Sequence, residues 1–104
     1  MHATIRRYEG VDKSRTEELA KKVDETLAPQ LSKLPGFEGY YLFEVGDGVM
    51  SSIGFFDTST QADESSRVAA TWVREEKLET ALPKPPRMTT GEIVVHKTRE
   101  LVEV

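Results

Sequence analysis

Cysteine is absent from this 104-residue chain. Disulfides, thiolate catalysis and Cys-based metal sites are therefore excluded. Histidine is scarce: His2 and His96 are the only two. Two imidazoles make a poor metal site without a third ligand, so no metal is expected. No apolar stretch approaches the roughly 20 residues of a membrane span. No basic run interrupts the net charge of −4, which argues against a nucleic-acid footprint. The start "MHATIRRYEG" lacks a basic segment followed by an apolar run, and the expected location is the cytoplasm. Gly-rich phosphate loops and nucleophile elbows are also missing. What is present is an ordinary globular balance, 38% hydrophobic and 31% charged, of a size suited to one domain.

Local patterns divide the chain into six elements. Residues 2–8 carry the β-formers Thr4, Ile5 and Tyr8 and read as a strand. Residues 13–33 read as a helix, with Leu19, Val23, Leu27, Leu31 and Leu34 on one stripe. Ser14 and Glu17 have capping-box spacing, and Glu17–Lys21 and Glu18–Lys22 stand four apart in the favourable order. Pro29 should kink this helix or split off its last turn. Residues 37–45 and 49–57 read as two strands joined at Asp47-Gly48, a strong hairpin signal. With Gly46 facing Val49, an unbroken ladder puts Phe43 opposite Ser52, Leu42 opposite Ile53 and Tyr41 opposite Gly54. Residues 59–79 read as a second helix, capped by Thr58 and Gln61, with Ala62, Ser66, Ala69 and Val73 on one stripe and Trp72 on its flank. "LPKPPR" is a stiff connector. Residues 89–97 read as the last strand, within a domain spanning 1–98, and 99–104 form a tail.

The order β-α-β-β-α-β is the split ferredoxin-like arrangement, an α+β fold. Its four-stranded antiparallel sheet runs strand four, one, three, two. Helices cover one face. The other face would carry residues such as Tyr40, Leu42, Phe55 or Ile53, depending on register, which is too much apolar surface for a small monomer. A two-fold homodimer is the simplest remedy.

The string "LPGFEGYYLFEVGDGVMSSIGFFDTSTQADES", followed by "WV", resembles the antibiotic biosynthesis monooxygenase (ABM)-like family of the dimeric α+β-barrel superfamily. The similarity covers residues 2–97. It rests on "PGF" leading into strand two, the hairpin, and the acidic-Thr lead into helix two. It implies a dimeric α+β barrel with a pocket between sheet and helices in each subunit. It further implies a cofactor-independent monooxygenase, or a binder of a small aromatic or quinone-like compound, needing no cofactor. The alternative is a non-catalytic homodimer with a filled pocket, in a structural, regulatory or stress-related role. Haem-degrading members of the superfamily combine an Asn on strand one, a Trp on helix two and a His soon after it. This chain has no Asn at all and no His between Trp72 and His96, which sets it apart from them.

Arg6 and Arg7 are adjacent on strand one, so they point to opposite faces. One of them enters a covered space. With His2 assumed opposite His96, Arg6 falls opposite Glu92 and Thr4 opposite Val94. An offset of one pairs Arg7 with Glu92 instead. Either way the expected role is a structural ion pair, since a buried charge is costly unless paired. The functional alternative is an arginine that meets an anionic or quinone-like oxygen. Arg6, Tyr40 and Trp72 are the candidate ligand-binding residues. His2 and His96 are the candidate bases, brought together by the same register.

Overall fold

The computed structural model describes residues 1–99. The order is β1 (His2–Tyr8), a 3₁₀ turn (Lys13–Arg15), α1 (Thr16–Lys22), a π-helical turn (Val23–Leu27), α2 (Ala28–Ser32), β2 (Phe37–Gly46), β3 (Val49–Phe56), α3 (Ser59–Glu75) and β4 (Arg87–Glu92). One antiparallel sheet has the order β2-β3-β1-β4, the arrangement expected for this fold. The 99–104 tail lies outside the described residues apart from Arg99.

The first helical segment is the expected one, built in pieces. Asp12, not Ser14, opens it: the Asp12 carboxylate accepts from both the backbone N–H and the hydroxyl of Ser14. The expected pairs of Glu17 with Lys21 and Glu18 with Lys22 give way to others. Glu18 takes Arg15, Lys21 takes Glu25, and Lys22 reaches across to Glu76 after α3. Pro29 has no N–H to donate, and the chain meets this by widening into the π turn just before it. The apolar stripe survives the change of pitch, because Leu19, Val23, Leu27 and Leu31 are all buried.

The second helix begins as read. Thr58 and Gln61 exchange side-chain-to-backbone hydrogen bonds of 3.1 and 3.2 Å in a capping box. The helix ends at Glu75, four residues short of the expected end. Its buried face is Ala62, Ser65, Ala69 and Trp72, rotated slightly from the expected stripe. Ser66 and Val73 lie at the edge of that face.

Two registers differ from expectation. Asp47 and Gly48 both take positive φ, as a two-residue hairpin turn requires, and Gly46 does face Val49. A bulge at Val45 then shifts the ladder by one residue. Beyond it Tyr40 faces Gly54, Tyr41 faces Ile53, Leu42 faces Ser52 and Phe43 faces Ser51. Tyr40 and Leu42 therefore point to the helices, while Tyr41, Phe43, Ile53 and Phe55 share the outer face. The space over Gly54 is filled: a Cβ there would lie 3.3 Å from the Phe56 ring and in ordinary contact with Thr4 and Tyr40.

The β1–β4 ladder sits four residues from the assumed register. His2 faces Glu92, Thr4 faces Thr90, Arg6 faces Met88 and Arg7 faces Arg87. Strand β4 is correspondingly earlier than the 89–97 expected, and Ile93 adds a single backbone hydrogen bond to Met1. Every residue of β4 is exposed. The helix α3 packs mainly on β1 and β3 and reaches β4 only at its flank, so this edge of the sheet is thinly covered.

Candidate functional site

The cross-strand pairing of Arg6 with Glu92 does not occur, nor does its offset, Arg7 with Glu92. Arg7 is the exposed arginine. It lies on the outer face and pairs with Glu9 at 3.2 Å, which offsets the like charge of Arg87 opposite. Arg6 is the buried one, 3% exposed on the helix side of β1. Among the described residues no carboxylate lies within ion-pair distance of it. Among the described residues its Nη1 donates to the Ser66 hydroxyl at 3.3 Å, and the Tyr8 phenol lies beside it. A guanidinium carries five N–H donors. A neutral oxygen at that distance compensates little of its charge.

Arg6 stands between two spaces. The inner one is a void of about 30 Å³ beneath the first helical segment, lined by Arg6, Tyr8, Tyr40, Trp72 and apolar side chains including Leu27 and Leu42. It has room for a water or two. The outer one is an open cleft of about 460 Å³ over the uncovered edge of the sheet. Arg6, Tyr8, Ser66, Val73 and Met88 line it, and Pro83–Pro86 form its rim. Arg6, Tyr8 and Leu82 belong to both linings.

The structure thus brings Arg6, Tyr40 and Trp72 together, but around the small void. Of the three, only Arg6 reaches the cleft. Trp72 is 3% exposed and its Nε1–H donates to the Thr26 hydroxyl at 2.7 Å. Thr26 in turn donates to the Lys22 carbonyl within the helical turn. That closed chain of bonds makes Trp72 a satisfied core residue pinning α3 to the first helical segment. Tyr40 packs over Gly54, its cross-strand neighbour.

The histidines do not meet. His2 lies on the helix side of β1, opposite Phe56 and Glu92. His96 follows β4 and lines a separate groove of about 370 Å³ on the outer face with Tyr41 and Phe55. Neither lines the cleft or the void. Among the described residues no group of His, Asp or Glu is arranged to hold a metal.

Tyr8 also belongs to the site, beside the three ligand-binding candidates Arg6, Tyr40 and Trp72. It lies two residues after Arg6, hence on the same face. Burial pushes its phenol above the ordinary 10.0, and the Arg6 guanidinium beside it opposes that rise. The i, i+2 spacing on a strand with one buried arginine was the available signal. At neutral pH Tyr8 is a hydrogen-bond donor next to a fixed positive charge, in a mostly apolar setting. The arrangement suits an oxygen that bears, or can develop, negative charge.

No family model matches the chain, and no curated protein matches it. Solved structures do share its fold. A monooxygenase from the gene ActVA-Orf6 of Streptomyces coelicolor, in complex with the ligand Nanaomycin D, superposes with a TM-score of 0.71 at 12% identity, over 95% of this chain and 92% of that one. An antibiotic biosynthesis monooxygenase gives 0.69 at 13% identity, over 91% of this chain and 100% of that one. A dimeric ferredoxin-like protein from an uncultured marine organism gives 0.69 at 17% identity, over 95% and 92%. A protein of unknown function from Nitrosomonas europaea matches as well. The chain has the ferredoxin-like α+β fold of ABM-type proteins, and the likeness is one of fold. Among the described residues no helix is long and apolar enough to cross a membrane.

Proposed function

We propose that this protein is a homodimer that binds a small aromatic or quinone-like compound in the cleft beside Arg6 and acts on it as a cofactor-independent monooxygenase. The observation that carries this reading is a buried guanidinium at the floor of an open cleft, with no carboxylate partner among the described residues. Such a charge is costly to keep for structure alone. The cleft volume, about 460 Å³, lies within the roughly 300–1,000 Å³ of small-molecule sites. The mostly apolar lining, with Val73, Leu82, Pro83 and Met88, suits a ring system. Cofactor-free oxygenation needs a substrate whose own carbanion passes electrons to dioxygen. The protein then contributes orientation, a dry wall and stabilisation of the anion.

The dimer is supported by the outer sheet face. Tyr41 is 65% exposed there, beside Phe43 and Phe55, and Tyr41 and Phe55 stack edge to face. Sedimentation is expected to give twice the chain mass, and Tyr41→Glu with Phe43→Glu is expected to give a monomer. A monomer of the unaltered chain at micromolar concentration rejects the two-sheet arrangement.

Activity is tested by titrating a panel of phenols and quinones, following binding by calorimetry and oxygen uptake with an electrode. Saturable binding lost in Arg6→Met supports the site, and oxygen uptake dependent on the bound compound supports the enzyme. The second reading, a non-catalytic dimer, is favoured by the small size of the void under Tyr40 and Trp72. It predicts no saturable binding by any member of the panel.

A further inference from the structure

Among the described residues the floor of the cleft carries no histidine or carboxylate. Neither histidine lines it, and the single carboxylate on its rim is Glu79, beyond the end of α3 and exposed to solvent. Lys84 on the opposite rim is also exposed. The other titratable groups facing the floor are Tyr8 and, across the void, Tyr40. Among the described residues the fixed charge on that floor is the cation of Arg6.

Resting on the reading that the cleft binds a small aromatic compound, we propose that it takes a hydroxy-aromatic ligand as its conjugate base, the phenolate or enolate oxygen seated between the Arg6 guanidinium and the Tyr8 hydroxyl. The O–H bond of the ligand breaks, its electron pair stays on the ligand oxygen, and the proton leaves to water through the open side of the cleft. No histidine or carboxylate takes part. The driving force is the unneutralised charge of Arg6. A cation within a few ångströms lowers an acid's pKa by about 1–3 pH units, and more effectively where solvent is excluded. Tyr8 is suited to stay protonated beside that anion, because burial holds its phenol above the ordinary range. Ser66 fixes the Arg6 fork from the side of α3, leaving donors free for the ligand. The apolar inner wall favours the ring and does nothing to stabilise a second charge.

The test uses 4-nitrophenol, whose phenolate absorbs in the visible, and 4-nitroanisole, which has the same frame and no ionisable proton. Both are titrated into the full chain, and the bound nitrophenol is then titrated with pH. The expected result has three parts. The bound probe ionises at least one pH unit lower than in water. Nitroanisole binds at least tenfold more weakly near neutral pH. Arg6→Met keeps weak binding of nitroanisole and loses the lowered ionisation, whereas Tyr8→Phe retains most of it. Equal binding of the two probes, with the bound nitrophenol ionising at or above its pH in water, overturns this inference while leaving the aromatic-binding cleft in place. Failure of both probes to bind the unaltered protein overturns the inference together with the reading beneath it. If Arg6→Met does not fold, the comparison of the two probes on the unaltered chain and on Tyr8→Phe decides alone.

Discussion

Replacing Arg6 by methionine removes a buried charge while keeping most of the stem that fills the space. In most proteins that change in a core destabilises, because a paired partner is left alone at a cost of about 3–5 kcal/mol. Here there is no acidic partner to orphan among the described residues. The lost interaction is one bond to the Ser66 hydroxyl at 3.3 Å, and Ser66 keeps its own bond to the Ala62 carbonyl. A hydrogen bond to a charged group contributes about 1.5–3 kcal/mol. Against it stands the desolvation of a guanidinium, several kcal/mol after relaxation. The balance favours Met by about 1–2 kcal/mol, using those same magnitudes. For a domain near 100 residues that raises Tm by about 4–15 °C. The assay is urea unfolding followed by Trp72 fluorescence, at two protein concentrations so that dimer mass action is separated out. Arg7→Met, on the exposed face, is the control and should change stability by less than about 0.5 kcal/mol. A loss of more than about 1 kcal/mol in Arg6→Met refutes the reasoning, since a loss of that size is the signature of a paired, structural arginine.

The remaining predictions concern neighbouring features. Arg6→Ala and Glu92→Ala should be additive within about 0.3–0.5 kcal/mol in a double-mutant cycle, because the ladder separates them by four residues; coupling beyond that contradicts the observed register. Thr26→Val should cost about 1–3 kcal/mol in chemical unfolding, because it leaves the buried Trp72 N–H without an acceptor, and a neutral result would show that water reaches it. Stability should fall as pH rises above the ordinary tyrosine value of 10.0: the folded chain keeps the Tyr8 proton where the unfolded chain has lost it, so unfolding releases a proton. Tyr8→Phe should flatten that alkaline limb, and an unchanged limb would assign it to other groups.

Much of the fold was readable one segment at a time. The limits of β1, the hairpin turn at Asp47-Gly48, the Thr58–Gln61 cap and the leucine stripe depend on residues within a turn or two of one another. Backbone sterics and short-range hydrogen bonding decide such features. The sheet order followed from the sequence of elements, since few topologies connect them without crossing.

Tertiary structure decided the rest. Whether a residue joins the ladder or bulges, as Val45 does, depends on which faces find a core, and a slip of one moved Tyr40 and Leu42 to the helix side. Strands β1 and β4 are far apart in the chain and no tight turn sets their offset, so the Arg6–Glu92 pairing could be drawn but not secured. The true offset is set by long-range packing. It left β4 thinly covered by α3, opened the cleft above that edge, and put Met88 where a carboxylate had been expected. The sequence by itself determined that one of two adjacent arginines enters a covered space. Only the folded chain chose Arg6, withheld its acid and set Tyr8 beside it.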